Sequence, residues 1–221
     1  MTTPATNLHG ADRSADHLPP NHHADHPRFR GIGGLLAALT FSVGRGEDAA
    51  LAIALTGTGR DDAVVDVGCG PGPAVRAAVR AGANSAIGVD PAAAMLRVAR
   101  GVGALHRGRS AVSYIEGTAE RLPLADDSAT VVWSVATVHH WRDVDAGLVE
   151  VRRVLRSGGR FLAIERRVTP GATGIGTHGW LDQQAEAFAE RCRAAGFVDV
   201  ELDHHQARGR DVVSVLARAH G

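Results

Sequence analysis

The chain of 221 residues contains no lysine: its 24 Lys and Arg positions are all arginine. That absence excludes phosphate-binding P-loops and Schiff-base chemistry, both of which need a lysine amine. Cysteine is nearly absent too. Cys69 and Cys192 lie far apart and fit neither a CxxC pair nor a zinc pattern, so a reduced, cytoplasmic protein is expected. No apolar run approaches the roughly 18 residues of a membrane-spanning helix, and the amino terminus lacks the apolar stretch of a signal peptide. Excess charge of either sign is also missing. With 24 acidic residues against 24 basic ones, interspersed, there is no broad footprint for nucleic acid or a membrane surface.

What is present is the alternation of an α/β domain, at a length suited to one core. Residues 1–27 are rich in Pro, Asp and His and poor in large apolar side chains, so a flexible tail is expected there. Its His9, His17, His22, His23 and His26 lack an apolar scaffold that would fix a metal geometry. Residues 28–221 form the single domain, with 28–58 read as a helical lid: one glycine-softened helix over Phe29–Val43 and an Ala-rich one over Glu47–Leu55. Strands are expected at Ala63–Val67, Ala86–Val89, Val112–Ile115, Ala129–Val135 and Arg160–Glu165. Helices are expected at Ala74–Ala81, Ala92–Arg100 and Val144–Leu155. This spacing means right-handed crossovers and a parallel sheet. The end differs. After a helix at Asp182–Ala195, strands Val198–Asp203 and Asp211–Ala217 are joined by a connection too short for a parallel return, so they form an antiparallel hairpin.

The chemistry gathers where strands end. Asp66–Pro73 reads DVGCGPGP, and placing Gly68 and Gly70 in the dinucleotide pattern puts Pro73 where its last glycine belongs. A carboxylate at Asp66 repels a diphosphate and attracts an ammonium or sulfonium group. Asp90 closes the next strand, where a carboxylate accepts ribose hydroxyls, while capping of the helix after Pro91 is the plainer reading. A cation joined to a nucleoside without phosphate describes S-adenosylmethionine.

Four segments carry a resemblance: VVDVGCGPG (Val64–Gly72), IGVDPAAAML (Ile87–Leu96), YIEGTAERLPLADDSATVVWSV (Tyr114–Val135) and VRRVLRSGGRFL (Val151–Leu162). Over residues 60–166 the chain resembles the class I S-adenosylmethionine-dependent methyltransferases. The resemblance implies a Rossmann-like seven-stranded sheet of order 3-2-1-4-5-7-6, strand 7 antiparallel, with helices on both faces. It implies that Asp66, Gly68 and Gly70 line the methionine moiety, with Cys69 among the cofactor-binding positions, Asp90 the ribose, Pro91 and Met95 the adenosine neighbourhood, and Ala119 and Glu120 the adenine edge. Ser134 and Val135 fall beside the ammonium and sulfonium groups. The product would be S-adenosyl-L-homocysteine.

After the strand at Ala129–Val135 comes TVHHWRD. Methyl transfer to a hydroxyl needs a base, and histidine is the side chain suited to neutral pH. His139 and His140 are the candidates, either ring also being able simply to pack the loop. Trp141 reads as a core anchor. Glu165 ends the neighbouring strand and can orient an imidazole, pair with Arg166 or Arg167, or join the histidines around a divalent metal; no metal site is assigned. Sugar O-methyltransferases are similar in carrying a double His and an acidic residue at these places, with Asp where this chain has Glu. The leading expectation is therefore O-methylation of a small polar acceptor, a sugar or glycoside first, by a monomer or homodimer. N- or C-methylation of an amine or quinone is the alternative. A tail-dependent metal sensor and a dinucleotide oxidoreductase are more distant ones. The loop Thr169–Trp180, with His178, reads as either an acceptor lid or an ordinary crossover, and His204 and His205 as surface positions.

Overall fold

The computed structural model describes residues 46–105, 109–207 and 209–221; the tail at 1–27 and the helix expected over Phe29–Val43 lie outside them. Twelve helices and strands follow along the described chain: α1 (Gly46–Thr56), β1 (Ala63–Val67), α2 (Pro73–Arg80), β2 (Ser85–Asp90), α3 (Ala93–Ala104), β3 (Val112–Glu116), β4 (Ala129–Val135), α4 (Val144–Val154), β5 (Leu155–Arg166), α5 (Asp182–Ala194), β6 (Phe197–Ala207) and β7 (Arg210–Ala219). One sheet of order β3-β2-β1-β4-β5-β7-β6 holds all seven strands. β1 through β5 pair in parallel and β7 runs antiparallel to both β5 and β6, as the short final connection requires.

Side-chain alternation explains why both faces are covered. In β4, Val131, Trp133 and Val135 join a core with Val64, Leu162 and Ile164 under α1, α2 and α3. Val132, between them, joins the opposite core with Val65, Phe161, Ala163 and Val215 under α4 and α5. Strands buried on both faces are near-continuous apolar runs, as β1 and β4 read in sequence.

Two strands depart from expectation. β5 begins at Leu155, five residues ahead of Arg160, because the run RSGG is absorbed as an irregularity in the β4–β5 register instead of forming a separate turn. Gly158 takes φ 71° within it. β6 extends to Ala207, with an irregularity between Val198 and Glu201 where Asp199 takes φ 48°. Being the sheet edge, it tolerates the polar run that hid its length.

The strand order places the site. From β1 the chain steps outward to β2 and β3, whereas β4 starts on the other side of β1 and leads to β5. Such a reversal leaves a crevice beyond the carboxyl ends of β1 and β4. Asp66, Asp90, Val135 and Glu165 all stand at or next to the carboxyl ends of their strands. Among the described residues, no helix is long and apolar enough to cross a membrane.

Candidate active site at the strand tips

The loop after β1 is a backbone structure. Gly68, Gly70 and Gly72 take φ of 78°, 53° and 75°, a region that L side chains avoid. The amides of Gly68 and Cys69 both donate to the Val89 carbonyl, at 2.8 and 3.1 Å, tying the loop to β2. A Cβ on Gly68 would lie 2.7 Å from three atoms of Thr137, so the close approach of β1 and β4 loops requires glycine. At Gly70 a Cβ would meet nothing within 4 Å, which leaves the loop open to a ligand on that side.

Asp66 is buried, with Oδ1 fully enclosed. Asp90 accepts from the Gly70 amide through Oδ2 and from the Ala92 amide through Oδ1, each at 2.8 Å. It thereby fixes both the Gly-rich loop and the start of α3. A carboxylate can accept more than two hydrogen bonds, so this does not preclude ribose hydroxyls. Burial, then the charges of Asp66 and Asp90, push the Cys69 thiol well above its ordinary range, which favours the neutral thiol. Met95 is buried in α3 and Pro91 half-buried before it. Ala119 belongs to the core beside Leu122. Glu120 turns Oε1 to the amides of Arg142 and Asp143, at 2.7 and 3.3 Å, and so holds the loop that follows the two histidines.

The tips of β4 and β5 are a side-chain structure. Ala136 leaves β4 with φ 55°, a conformation that costs a non-glycine residue about 1 kcal/mol, and donates to the Ile164 carbonyl at 2.7 Å. Thr137 then bridges: its Oγ1 donates to the Val67 carbonyl at 2.8 Å and meets Ser134 Oγ at 2.7 Å. Neither residue announces this in sequence. A single 3₁₀ turn, Val138–His140, follows. It buries His139 and leaves His140 exposed.

His139 Nδ1 lies 2.8 Å from Glu165 Oε2, and the His139 amide donates to Oε1 at 3.4 Å. Glu165 has no exposed surface and His139 only 3 %. The glutamate therefore reaches the imidazole, and of the neighbouring arginines Arg167 pairs with Asp182. The ring nitrogen facing the carboxylate is Nδ1, so Nε2 is the one turned away from Glu165. His178, from the loop before α5, stands 5.7 Å from His139 and 5.8 Å from His140 between ring centroids. Sequence reasoning put His178 in that loop without linking it to the pair. Trp141 packs on Phe161 in the core, and a Cβ on Gly147 would strike it at 2.5 Å. Two cavities of about 250 and 280 Å³ lie away from these tips, beside Tyr114 and beside Thr56 and Arg160.

Residues 65–163 match the profile of the methyltransferase domain family. The matched segment and the sheet order around it are those of the class I S-adenosylmethionine-dependent methyltransferases. Over 120 residues this chain is 36% identical to the uncharacterized methyltransferase YcgJ of Bacillus subtilis, covering 54% of this chain and 47% of that one. The crystal structure of YcgJ shares the fold with a TM-score of 0.62 at 19% identity, across 79% of this chain and 98% of that one. The ubiquinone/menaquinone biosynthesis C-methyltransferase UbiE of Rubrivivax gelatinosus is 37% identical over 102 residues, 46% of this chain and 38% of that one. The 27-O-demethylrifamycin SV methyltransferase of Amycolatopsis mediterranei is 31% identical over 156 residues, 68% of this chain and 53% of that one. The chain thus spans about half the length, or less, of these curated relatives. The family's cofactor, S-adenosylmethionine, fits what the first loop offers: carboxylates at two neighbouring tips, a glycine cradle open at Gly70, and no cationic side chain from residues 66–73 that would suit a diphosphate.

Proposed function

We propose that the protein transfers a methyl group from S-adenosylmethionine to a hydroxyl of a small polar acceptor, a sugar or glycoside foremost, with His139 as general base. The observation that carries the preference for oxygen is the buried contact of 2.8 Å between His139 Nδ1 and Glu165 Oε2. An amine attacks with its own lone pair, whereas a hydroxyl near neutral pH gains about 10²- to 10⁴-fold from a base that takes its proton. The bound cofactor supplies the methyl group already activated on a cationic sulfur.

Asp66, Gly68 and Gly70 would hold its methionine moiety, Asp90 its ribose, and Pro91 and Met95 the adenosine side. His139 accepts the hydroxyl proton at Nε2. Glu165, sealed from water, then faces an imidazolium through Nδ1–H, and the low local dielectric strengthens that attraction. The zero net charge supports a small acceptor over nucleic acid. The cytoplasm, with reduced cysteines, is the compartment this reading favours.

The test separates binding from chemistry. His139→Phe keeps the ring's bulk and should lower kcat toward hydroxyl acceptors by about 10²- to 10⁴-fold. Glu165→Gln should lower it by about tenfold or more, by misplacing the proton on the ring. Both should bind S-adenosylhomocysteine within about threefold of the parent in calorimetry. Transfer to oxygen persisting in His139→Phe at more than about a tenth of the parent rate would sink the proposal. A second reading, transfer to carbon of a quinone-like ring, is favoured by the likeness to UbiE. Product analysis distinguishes a new C–O bond from a new C–C bond.

A further inference from the structure

We propose that Arg76 and Tyr114 act together as positioning residues for the cofactor: they hold the Pro71 and Gly72 carbonyls from the core side, so that the Gly-rich loop is shaped before the cofactor arrives. This rests on the reading of that loop as the cofactor cradle and does not depend on the acceptor. The loop has two unlike sides. At Gly70 a Cβ would meet nothing within 4 Å, whereas at Gly72 it would lie 2.4 Å from Tyr114 Cε1. Tyr114 comes from β3 and belongs to the core under α2 and α3, with Val75, Ala78, Leu96 and Ala99. Its ring stands in a slot that glycines leave: a Cβ on Gly88 of β2 would come 2.9 Å from Cδ1, and one on Gly103 of α3 would come 3.0 Å from Cε2. Loop, strand and helix thus enclose the ring and fix where its hydroxyl stands.

That hydroxyl donates to the Gly72 carbonyl at 3.4 Å, and the same carbonyl accepts the Arg76 amide at 3.2 Å as α2 begins. Arg76 closes the set. Its Nη1 donates to the Pro71 carbonyl at 2.8 Å and to the Tyr114 hydroxyl at 3.2 Å. Nη1 carries two hydrogens, one for each acceptor. Gly72, the N-cap of α2, has no side chain with which to do this itself. Arg76 is buried, and both of these acceptors are neutral, a costly place for a guanidinium. An apolar side chain would pack α2 without that cost, so what the arginine contributes is the shape of the loop.

The experiment reads S-adenosylhomocysteine affinity by calorimetry. Arg76→Met keeps the stem and removes the donors, and should weaken binding about tenfold; Tyr114→Phe keeps the ring and should weaken it about fivefold. The double variant should lose no more than about twentyfold, short of the roughly fiftyfold to which independent losses would multiply. Arg76→Lys, which restores one cationic donor, should recover part of the loss. Phe197→Leu, in the core of the sheet's far edge strand β6, supplies a destabilised control whose affinity should stay within about twofold of the parent. If Arg76→Met does not fold, Tyr114→Phe against Phe197→Leu carries the same comparison. An affinity within about twofold of the parent in either single variant, losses that multiply in the double, an Arg76→Lys no better than Arg76→Met, or an equal loss in Phe197→Leu would overturn the proposal. Gly68→Ala, measured alongside, shows which reading has failed: if it loses affinity while Arg76→Met does not, the cradle stands without this support, and if neither loses affinity, the cradle reading itself falls.

Discussion

The tips of β1 and β2 and the tips of β4 and β5 face one crevice but are held by different means. The first pair is fixed by main chain: amides of Gly68 and Cys69 on Val89, and amides of Gly70 and Ala92 on the Asp90 carboxylate. The second adds to its main-chain bond from Ala136 to Ile164 two contacts of side chain on side chain: Ser134 with Thr137, and His139 with Glu165 across 26 residues of sequence. A main-chain cradle holds a constant cofactor shape, whereas a side-chain cluster can be re-specified residue by residue for an acceptor. If that division is right, a variant in one half should leave the other half's measurement alone.

The largest effect is expected at Gly68. Gly68→Ala combines an unfavourable φ of 78° with a Cβ 2.7 Å from Thr137, so the loop must shift away from β4. Strain of this kind costs about 1–3 kcal/mol and overpacking adds a similar amount, so S-adenosylhomocysteine affinity should fall by about a hundredfold or more in calorimetry. Far-UV circular dichroism should stay that of the parent. An affinity within about threefold of the parent would break the distinction, because the cradle would then tolerate what its geometry forbids.

The two halves also differ in how far they can be read from sequence. Asp66, Gly68, Gly70 and Asp90 lie in short contiguous segments whose meaning is local: a strand, a glycine turn, a strand ending in a carboxylate. The parallel sheet and the final antiparallel hairpin follow for the same reason, from apolar runs and connection lengths, whereas the order of the strands comes from the family resemblance. The side-chain half is legible only through topology. Glu165 can be placed near His139 once β5 is known to lie beside β4, but the 2.8 Å contact is tertiary. Ala136 at φ 55° carries no composition signal, and neither does the reach of Thr137 back to Val67. The early start of β5 was hidden because Ser157, Gly158 and Gly159 look like turn residues whether or not a sheet absorbs them.

Thr137 joins the halves through its side chain, so it gives the next, smaller effect. Thr137→Val keeps the shape but removes the hydroxyl between the Val67 carbonyl and Ser134, leaving Ser134 Oγ buried with one partner fewer. The cost should be about 1–2 kcal/mol, seen as a Tm lower by about 3–6 °C. Unlike Gly68→Ala or His139→Phe, it should weaken cofactor affinity and kcat together, each by only a few-fold. A loss confined to one of the two would show that the halves are not coupled through this residue.

The smallest effect tests the outer support of the side-chain half. Burial pushes the Glu120 carboxyl up, but hydrogen bonds from its own amide, Thr118, Arg142 and Asp143 outweigh it and hold the group below its ordinary 4.5. A carboxyl whose folded pKa is depressed stabilises the fold above its unfolded value and loses that contribution as pH falls through the folded one. Glu120→Gln still offers a carbonyl to the two amides, so solvent screening should keep the loss at neutral pH below about 1 kcal/mol. The gap between parent and variant in urea unfolding should then narrow as pH drops below about 4.5, because protonation makes the glutamic acid resemble the amide. Glu150, held low by Arg153, titrates in the same direction but is present in both proteins and cancels in the difference. A gap that stays constant from pH 7 down to about pH 3 would mean that Glu120 supports the loop at Arg142 and Asp143 by shape alone and not by its charge.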